Sequence, residues 1–133
     1  MMTAQRPLII VVDDEQAIRD FLCDLLSDEG YQSIGCHDAR EAFEIVQESQ
    51  PALVITDLWM EARYAGYELL KRIRNTSAIS GTPVILYAAD QRFLHENSQS
   101  LQALNCAPLH KPASVDEIVA MIRRLIGAPQ VLP

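Results

Sequence analysis

The chain has 133 residues, 49% of them hydrophobic and 22% charged, which predicts one domain with one substantial core. Its formal net charge of −7 disfavours a nucleic-acid ligand for this domain. No apolar run approaches the roughly 20 residues of a membrane-spanning helix, and the start, MMTAQRP, lacks the apolar stretch of a secretion signal. Cys23, Cys36 and Cys106 show no metal-ligand spacing and are predicted to be reduced, mostly buried thiols of a cytoplasmic protein.

The first half of the chain alternates strand-like and helix-like segments. LIIVV at 8–12 predicts a strand that is buried on both faces. Helical spacing of apolar residues over 15–29 predicts an amphipathic helix that Gly30 ends. A weaker strand at 31–36 precedes a second helix at 38–49. The residues predicted to face the core from these two helices are Ile18, Phe21, Leu22, Leu25, Leu26, Ala39, Ala42, Phe43 and Val46.

The second half continues the same alternation. Three further strands are predicted at 52–56, 83–89 and 106–110. A helix ending near Asn75 separates the first two of these strands, and a polar helix over 90–105 separates the last two. The final helix is predicted to begin after an N-cap at Ser114 and to end at Gly127. Its predicted core face comprises Val115, Ile118, Val119, Ile122 and Leu125 or Ile126.

Five β/α units with doubly apolar strands predict an α/β fold in which helices cover both faces of a parallel sheet. For a domain of this size we expect the flavodoxin-like, doubly wound (βα)5 arrangement with strand order 2-1-3-4-5. The predicted domain spans residues 7–127, with an N-terminal tail at 1–6 and a C-terminal tail at 128–133.

Acidic residues follow two strands that this order makes neighbours. Asp13 and Asp14 come directly after the first strand, and Asp57 ends the third. Three converging carboxylates repel each other unless a cation is present, and oxygen ligands of this kind suit Mg²⁺. Lys111 follows the fifth strand and reaches the same edge, which completes a constellation suited to phosphoryl transfer. The alternative roles are capping of the first helix for Asp13, Asp14 and Glu15, and a turn or helix cap for Asp57. For Lys111 the alternative is a solvated loop charge.

Four segments carry a family resemblance. They are VVDDE after the first strand, LVITDLWM around the third, PVILYAA in the fourth and HKP after the fifth. In this order and spacing, over about residues 7–127, they resemble the response-regulator receiver domain of two-component signalling, in the family of the chemotaxis regulator. The expected function is therefore phospho-accepting signalling.

The resemblance implies a role for each site residue. Asp57 would accept a phosphoryl group from a histidine of a sensor kinase. Asp14, Asp57 and the backbone carbonyl of Trp59 would bind Mg²⁺, and Asp13 would hold a metal-bound water. Lys111 would contact the phosphoryl group and would pair with Asp57 before phosphorylation. The same resemblance implies a cis peptide bond after Lys111.

The resemblance also implies partners. A sensor histidine kinase or a phosphotransfer protein would donate the phosphoryl group, and an unknown downstream protein or output domain would respond to it. The surface made by helix 4, strand 5 and helix 5 is a common dimer surface in proteins of this kind, so the resemblance makes a homodimer through it possible, while the sequence does not decide the oligomeric state. No nucleic acid or membrane is expected as a partner of this domain.

The sequence departs from the family at both switch positions. Ala88 lies where receivers have Ser or Thr, and Pro108 lies where they have an aromatic residue three before the lysine. The Tyr87 hydroxyl cannot replace the missing donor, because alternation along a strand directs it to the opposite face from Ala88. A receiver that serves as a protein-interaction scaffold, without phosphate-driven switching, is therefore the alternative reading.

The loop after Asp57 departs as well. Glu61 replaces the usual proline, and Gly66 follows the aspartate by nine residues rather than eight, which is a one-residue insertion. Trp59 and Asp90 flank the path of water towards the acceptor, and the bulk of the Trp59 indole is expected to shield an acyl phosphate. We expect phosphorylation to act through this loop or through the polar fourth helix. An aspartyl phosphatase is disfavoured, since Trp59 stands where its second aspartate belongs.

Overall fold

A single parallel sheet runs through the computed structural model, which describes residues 6–129. The outer parts of the two predicted tails, 1–5 and 130–133, lie outside the described residues. The strands are β1 (Leu8–Val12), β2 (Gln32–Cys36), β3 (Leu53–Thr56), β4 (Val84–Ala88) and β5 (Cys106–His110). Their order is β2-β1-β3-β4-β5 and all pairs are parallel, so the predicted flavodoxin-like topology is confirmed.

Helices cover both faces of this sheet. They are α1 (Gln16–Asp28), α2 (Ala39–Ser49), α3 (Ala65–Arg74), α4 (Gln91–Glu96), α5 (Ser98–Ala103) and α6 (Val115–Ile126). Helices α1 and α6 pack on one face and the other four on the opposite face, because alternate strand residues point to alternate sides. Within residues 6–129, no helix is both long enough and apolar enough to cross a membrane.

The prediction of one continuous helix over 90–105 is wrong, because this segment forms two short helices, α4 and α5. Asn97 separates α4 from α5 with backbone angles outside the helical range, at φ −107° and ψ 17°. Its side-chain amide donates to the Phe93 carbonyl at 3.0 Å, and such local bonds compete with regular helix geometry. The apolar stripe itself is present, because Phe93, Leu94 and Leu101 are buried.

Two residues predicted to face the core are exposed instead. Phe21 on α1 is 44% exposed and Val115 on α6 is 48% exposed. Phe21 lies about 100° around the helix from Leu22, which is buried, and so falls at the edge of the apolar stripe. Val115 is the first residue of α6 and precedes the turn at which Ile118 reaches the sheet.

The predicted start of the final helix is confirmed. The Ser114 hydroxyl accepts from the Glu117 amide, and the Glu117 carboxylate accepts from the Ser114 amide, which forms a capping box. Gly127 follows the helix with a positive φ of 77°, a conformation that glycine adopts without strain. Its carbonyl accepts the Tyr31 hydroxyl at 2.9 Å, so the end of α6 is tied to the start of β2.

Arg74 joins the end of α3 to the loops on either side of it. Its guanidinium donates to the carbonyls of Leu104 and Thr82, each at 2.6 Å. It also donates to the carbonyls of Ser80 at 3.1 Å and Asn105 at 3.3 Å. Burial lowers the pKa of Arg74. Within residues 6–129, backbone carbonyls rather than a carboxylate accept the hydrogen bonds of this cation.

We expect Arg74→Met to lower the free energy of unfolding by about 2–3 kcal/mol, because it leaves carbonyls without their charged donor. Urea denaturation followed by far-ultraviolet circular dichroism measures this loss. Arg40→Met is the matched control, since Arg40 is exposed on α2. Equal losses in the two variants would show that the carbonyl contacts of Arg74 contribute nothing specific.

Candidate functional site

The carboxyl ends of β1 and β3 bring the acidic residues together. Val12 pairs with Thr56 in the sheet, and the Asp57 amide donates to the Val12 carbonyl at 2.8 Å. The loop after β1 therefore begins beside the residue that ends β3. Asp13, Asp14 and Asp57 each offer a carboxylate oxygen within 4.8 Å of the other two. The convergence expected from strand order is thus present.

Asp13 is fixed at four of its atoms. Its amide donates to the Cys36 carbonyl at 3.1 Å, and its carbonyl accepts the Arg19 guanidinium at 2.8 Å. One carboxylate oxygen accepts the Glu15 amide at 3.0 Å, and the other accepts the Lys111 ammonium at 2.7 Å. Asp13 is only 2% exposed, so its carboxylate is buried and held in one orientation. It supports the start of α1 through the Glu15 amide and pairs with the ammonium of Lys111.

Lys111 lies between two carboxylates rather than in solvent. Its Nζ is 2.7 Å from Asp13 Oδ2 and 3.4 Å from Asp57 Oδ1, so the closer partner is Asp13. Burial disfavours the ammonium, but the hydrogen bond with Asp13 and the charge of Asp57 outweigh this and raise the pKa of Lys111. Its amide donates to the Ala88 carbonyl at 2.9 Å, and the peptide bond to Pro112 is cis.

Asp57 is held at the mouth of the site. Its Oδ1 accepts the Leu58 amide at 2.8 Å, which orients the carboxylate. Burial raises the pKa of Asp57 above its ordinary value, the charge of Lys111 opposes this rise, and the charge of Asp13 adds to it. The site thus contains the three carboxylates of Asp13, Asp14 and Asp57 and the ammonium of Lys111, which leaves an excess of negative charge.

The donor set fits a hard divalent cation. Asp14 is exposed while Asp13 is buried, so the cluster has one side open to solvent and one side anchored in protein. Carboxylate oxygens with an open side suit Mg²⁺, which keeps several of its waters when bound. Such an ion also relieves the repulsion among the three acids.

A cleft of about 400 Å³ opens beside Asp57. Its walls are formed by Glu15, Asp57, Leu58, Trp59, Ala88, Ala89, Asp90 and Lys111. Ala88 is buried in this wall and provides no hydroxyl. The Tyr87 hydroxyl accepts the Ala113 amide at 3.2 Å on the other face of the sheet, as alternation along the strand predicts.

The two other predicted positions, Asp90 and Pro108, lie in different surroundings. Asp90 lies in the cleft wall, and its carboxylate accepts the Phe93 amide at 2.9 Å, so it also caps α4. Pro108 is exposed on β5, where it pairs with Leu86, and it does not line the cleft. The two atypical switch positions therefore do not meet in one pocket.

Gly66 is a site residue whose role the sequence does not reveal. A Cβ at this position would lie 1.8 Å from the Asp57 carbonyl oxygen, and the Gly66 amide donates to the Leu58 carbonyl at 3.0 Å. Helix α3 therefore approaches the backbone of Asp57 so closely that only glycine fits. Its position nine residues after Asp57 marks it in the sequence, but spacing alone does not show the contact.

Two further contacts around the site have no clear signal in the sequence. The Arg19 guanidinium holds the Asp13 carbonyl, and it belongs to a helix position that reads as an ordinary surface charge. The Glu61 carboxylate accepts the Ala39 amide at 3.0 and 3.2 Å. The residue that replaces the usual proline thus caps the start of α2, where a negative charge is favourable.

We expect Gly66→Ala to lower the free energy of unfolding by at least about 3 kcal/mol, because the added methyl overlaps the Asp57 carbonyl. Thermal and urea unfolding measure the loss. Gly81→Ala is the matched control, because a Cβ there meets nothing within 4 Å. A Gly66→Ala protein as stable as Gly81→Ala would show that α3 can move away from Asp57 without cost.

We expect Asp57→Asn to stabilise the protein at neutral pH when divalent cations are chelated. Because the folded-state pKa of Asp57 is raised, its protonated form favours the fold below the ordinary value of 3.8, and this contribution is lost as pH rises through the raised pKa. Asparagine never ionises, so the variant's advantage should be present at neutral pH and vanish in acid. Unfolding curves across pH test this, and an unchanged difference at all pH values would contradict it.

The comparisons with known proteins agree with this geometry. The family model for the response regulator receiver domain matches residues 9–123. The response regulator Rre1 of Synechocystis sp. is 31% identical over 123 residues, which cover 92% of this chain and 52% of that protein. The phosphate regulon transcriptional regulatory protein PhoB of Pseudomonas aeruginosa is 26% identical over 121 residues, covering 89% of this chain and 51% of that protein.

Solved structures are similar over nearly the whole chain. The chemotaxis response regulator CheY4 of Vibrio cholerae has a TM-score of 0.81 at 25% identity, covering 91% of this chain and 99% of that one. A Francisella response regulator receiver domain has a TM-score of 0.80 at 25% identity, covering 91% and 97%. The chain spans about half the length of the curated relatives it matches. It belongs to the response-regulator receiver domain family, whose members act in two-component signalling.

Proposed function

We propose that residues 7–127 form a phospho-accepting receiver domain in which Asp57 takes a phosphoryl group from a phosphohistidine. The observation that carries this proposal is the setting of the Asp57 carboxylate. It lies in an open cleft, 3.4 Å from the Lys111 ammonium and within 4.8 Å of the carboxylates of Asp13 and Asp14. Nucleophile, cation and metal-binding acids are the parts that phosphoryl transfer to a carboxylate requires.

In the proposed step, an Asp57 oxygen forms a bond to phosphorus as the bond from phosphorus to the donor imidazole nitrogen breaks. The electron pair of the broken bond leaves with that nitrogen, which takes up a proton. Since the Leu58 amide holds Oδ1, Oδ2 is the oxygen without a protein donor among residues 6–129. We therefore assign the attack to Oδ2.

The other residues of the site stabilise the charge that the transfer brings. Lys111 is already in place between two carboxylates and offers its ammonium to an incoming phosphoryl oxygen. Asp13 orients that ammonium and, in our proposal, holds a metal-bound water. Asp14, Asp57 and the Trp59 carbonyl would hold Mg²⁺, whose positive charge would offset that of the phosphoryl group.

The partners follow from the same chemistry. Response regulators interact with histidine kinases and with output domains, and for this chain we propose a sensor histidine kinase or a phosphotransfer protein as donor. A downstream protein or output domain would read the phosphorylated state.

We also propose a homodimer through α4, α5, β5 and α6, since α4 and α5 correspond to the predicted fourth helix and α6 to the predicted fifth. The three free thiols agree with a cytoplasmic location.

A scaffold without phosphate-driven switching is the second candidate. Ala88 and Pro108 favour it, because neither can provide the hydroxyl or the rotating ring on which receivers commonly rely. The ion pair of Lys111 with Asp13 and the exposed side of the acidic cluster favour the phospho-accepting function instead.

Intact-mass spectrometry after incubation with acetyl phosphate tests the proposal. We expect wild-type protein to gain the mass of one phosphoryl group in Mg²⁺ and to gain none in a chelator. Asp57→Asn should gain none in either condition, because the nucleophile is absent. Asp90→Asn is the matched control, since Asp90 lines the same cleft and asparagine retains the cap of α4.

The other outcomes separate the two candidates. An adduct that persists in Asp57→Asn would place the acceptor elsewhere. A wild-type protein that gains no phosphoryl group from acetyl phosphate or from phosphoramidate, while Mg²⁺ still raises its melting temperature, would favour the scaffold.

A further inference from the structure

The loop between β3 and α3, residues 58–64, leads from the acceptor to an aromatic cluster, and we call it the acceptor loop. Its first amide, that of Leu58, donates to Asp57 Oδ1 at 2.8 Å. The Met60 amide donates to the Ala62 carbonyl at 3.1 Å, which folds the loop back on itself. The Asp57 carboxylate therefore contacts the loop at its first residue.

Aromatic and cationic side chains connect the start of the acceptor loop to its end. The Arg63 guanidinium lies 5.0 Å from the centroid of the Trp59 ring and 5.4 Å from that of the Tyr64 ring. Both distances are within the range of cation–π attraction. Trp59 also lines the cleft beside Asp57. The contacts therefore run from the cleft wall to Tyr64, at the end of the loop.

Tyr64 connects this loop to α4. Its ring stacks on the Phe93 ring with centroids 5.2 Å apart and an interplanar angle of 29°. Phe93 is buried, whereas Tyr64 is 40% exposed and therefore has room to move. The Tyr67 ring of α3 contacts Phe93 edge-on at 5.4 Å. Phe93 thus receives one aromatic contact from the loop and one from the neighbouring helix.

Helix α4 is the element that such a contact can shift. It has six residues, which is too short for a helix to be stable by itself. Its position depends on Phe93 and Leu94, which are buried, and on the cap from Asp90 in the cleft wall. Asn97 interrupts the helical backbone between α4 and α5, so α4 ends as a separate short helix.

We propose that the stacked pair Tyr64–Phe93 carries the phosphorylation state of Asp57 to α4. This inference rests on the proposed function and deepens it, because it supplies a route for a chain whose residues at 88 and 108 are alanine and proline. A phosphoryl group on Asp57 changes the carboxylate that the Leu58 amide contacts and enters the cleft that Trp59 lines. The acceptor loop then shifts, and Tyr64 moves Phe93 with it.

Hydrogen–deuterium exchange with mass spectrometry tests this route on the full chain. Acetyl phosphate and Mg²⁺ phosphorylate each sample, and its intact mass measures the extent of phosphorylation. In wild-type protein, we expect phosphorylation to change exchange of the α4 amides by about two- to tenfold, the range that one aromatic pair supports. In Tyr64→Leu, phosphorylation should reach the wild-type extent while this change in α4 is lost.

Two further variants separate coupling from packing. Tyr64→Phe retains the stacked ring and should restore the change in α4. Tyr67→Leu removes the other aromatic neighbour of Phe93 but leaves the loop contact intact. It should raise exchange of α4 in both states and preserve the difference between them.

Each contrary result is distinct. A wild-type protein that takes up no phosphoryl group would overturn the proposed function and this inference with it. A phosphorylated wild type with unchanged α4, or a Tyr64→Leu variant that keeps the full change, would overturn the inference alone.

Discussion

The crowding of like charges at the end of β1 and β3 is the constraint on which the site depends. Three carboxylates lie within 4.8 Å of one another, and the single ammonium of Lys111 faces two of them. The arrangement persists because the sheet, not the side chains, sets the spacing: Val12 and Thr56 are paired residues in adjacent strands. The free energy of folding thus holds three carboxylates together despite their repulsion, and the resulting excess of negative charge favours the binding of a cation.

The surroundings of this cluster differ in rigidity. On one side, Asp13 is held at its amide, carbonyl and both carboxylate oxygens, and Gly66 brings α3 against the Asp57 carbonyl. On the other side, the half-exposed Tyr64 ring of the acceptor loop stacks on the buried Phe93 ring of the six-residue α4. A rigid half that positions the chemistry and a loosely attached half that can respond to it are what a signalling domain needs.

Much of this architecture could be predicted from the sequence. Doubly apolar strands and five β/α units were sufficient for the topology, and strand order alone brought Asp13, Asp14 and Asp57 together. The predictions were wrong where the local structure depends on a single side chain. Apolar periodicity does not show that the Asn97 side chain interrupts the polar helix, or that Phe21, about 100° around α1 from the buried Leu22, falls at the exposed edge of the apolar stripe. Capping of α2 by Glu61 depends on a loop conformation, which no pattern encodes.

Pro108 has a consequence for how copies of this chain can assemble. β5 is an edge strand, and prolines in sheets occur with the missing N–H on the solvent side. The outer row of β5 therefore lacks one donor, which blocks extension of the sheet by another strand. At the opposite edge, β2 has an exposed Ile34 and no proline or lysine to hinder pairing. Association on the β5 side must therefore proceed through side chains, and main-chain pairing between copies, as in aggregation, is directed to β2.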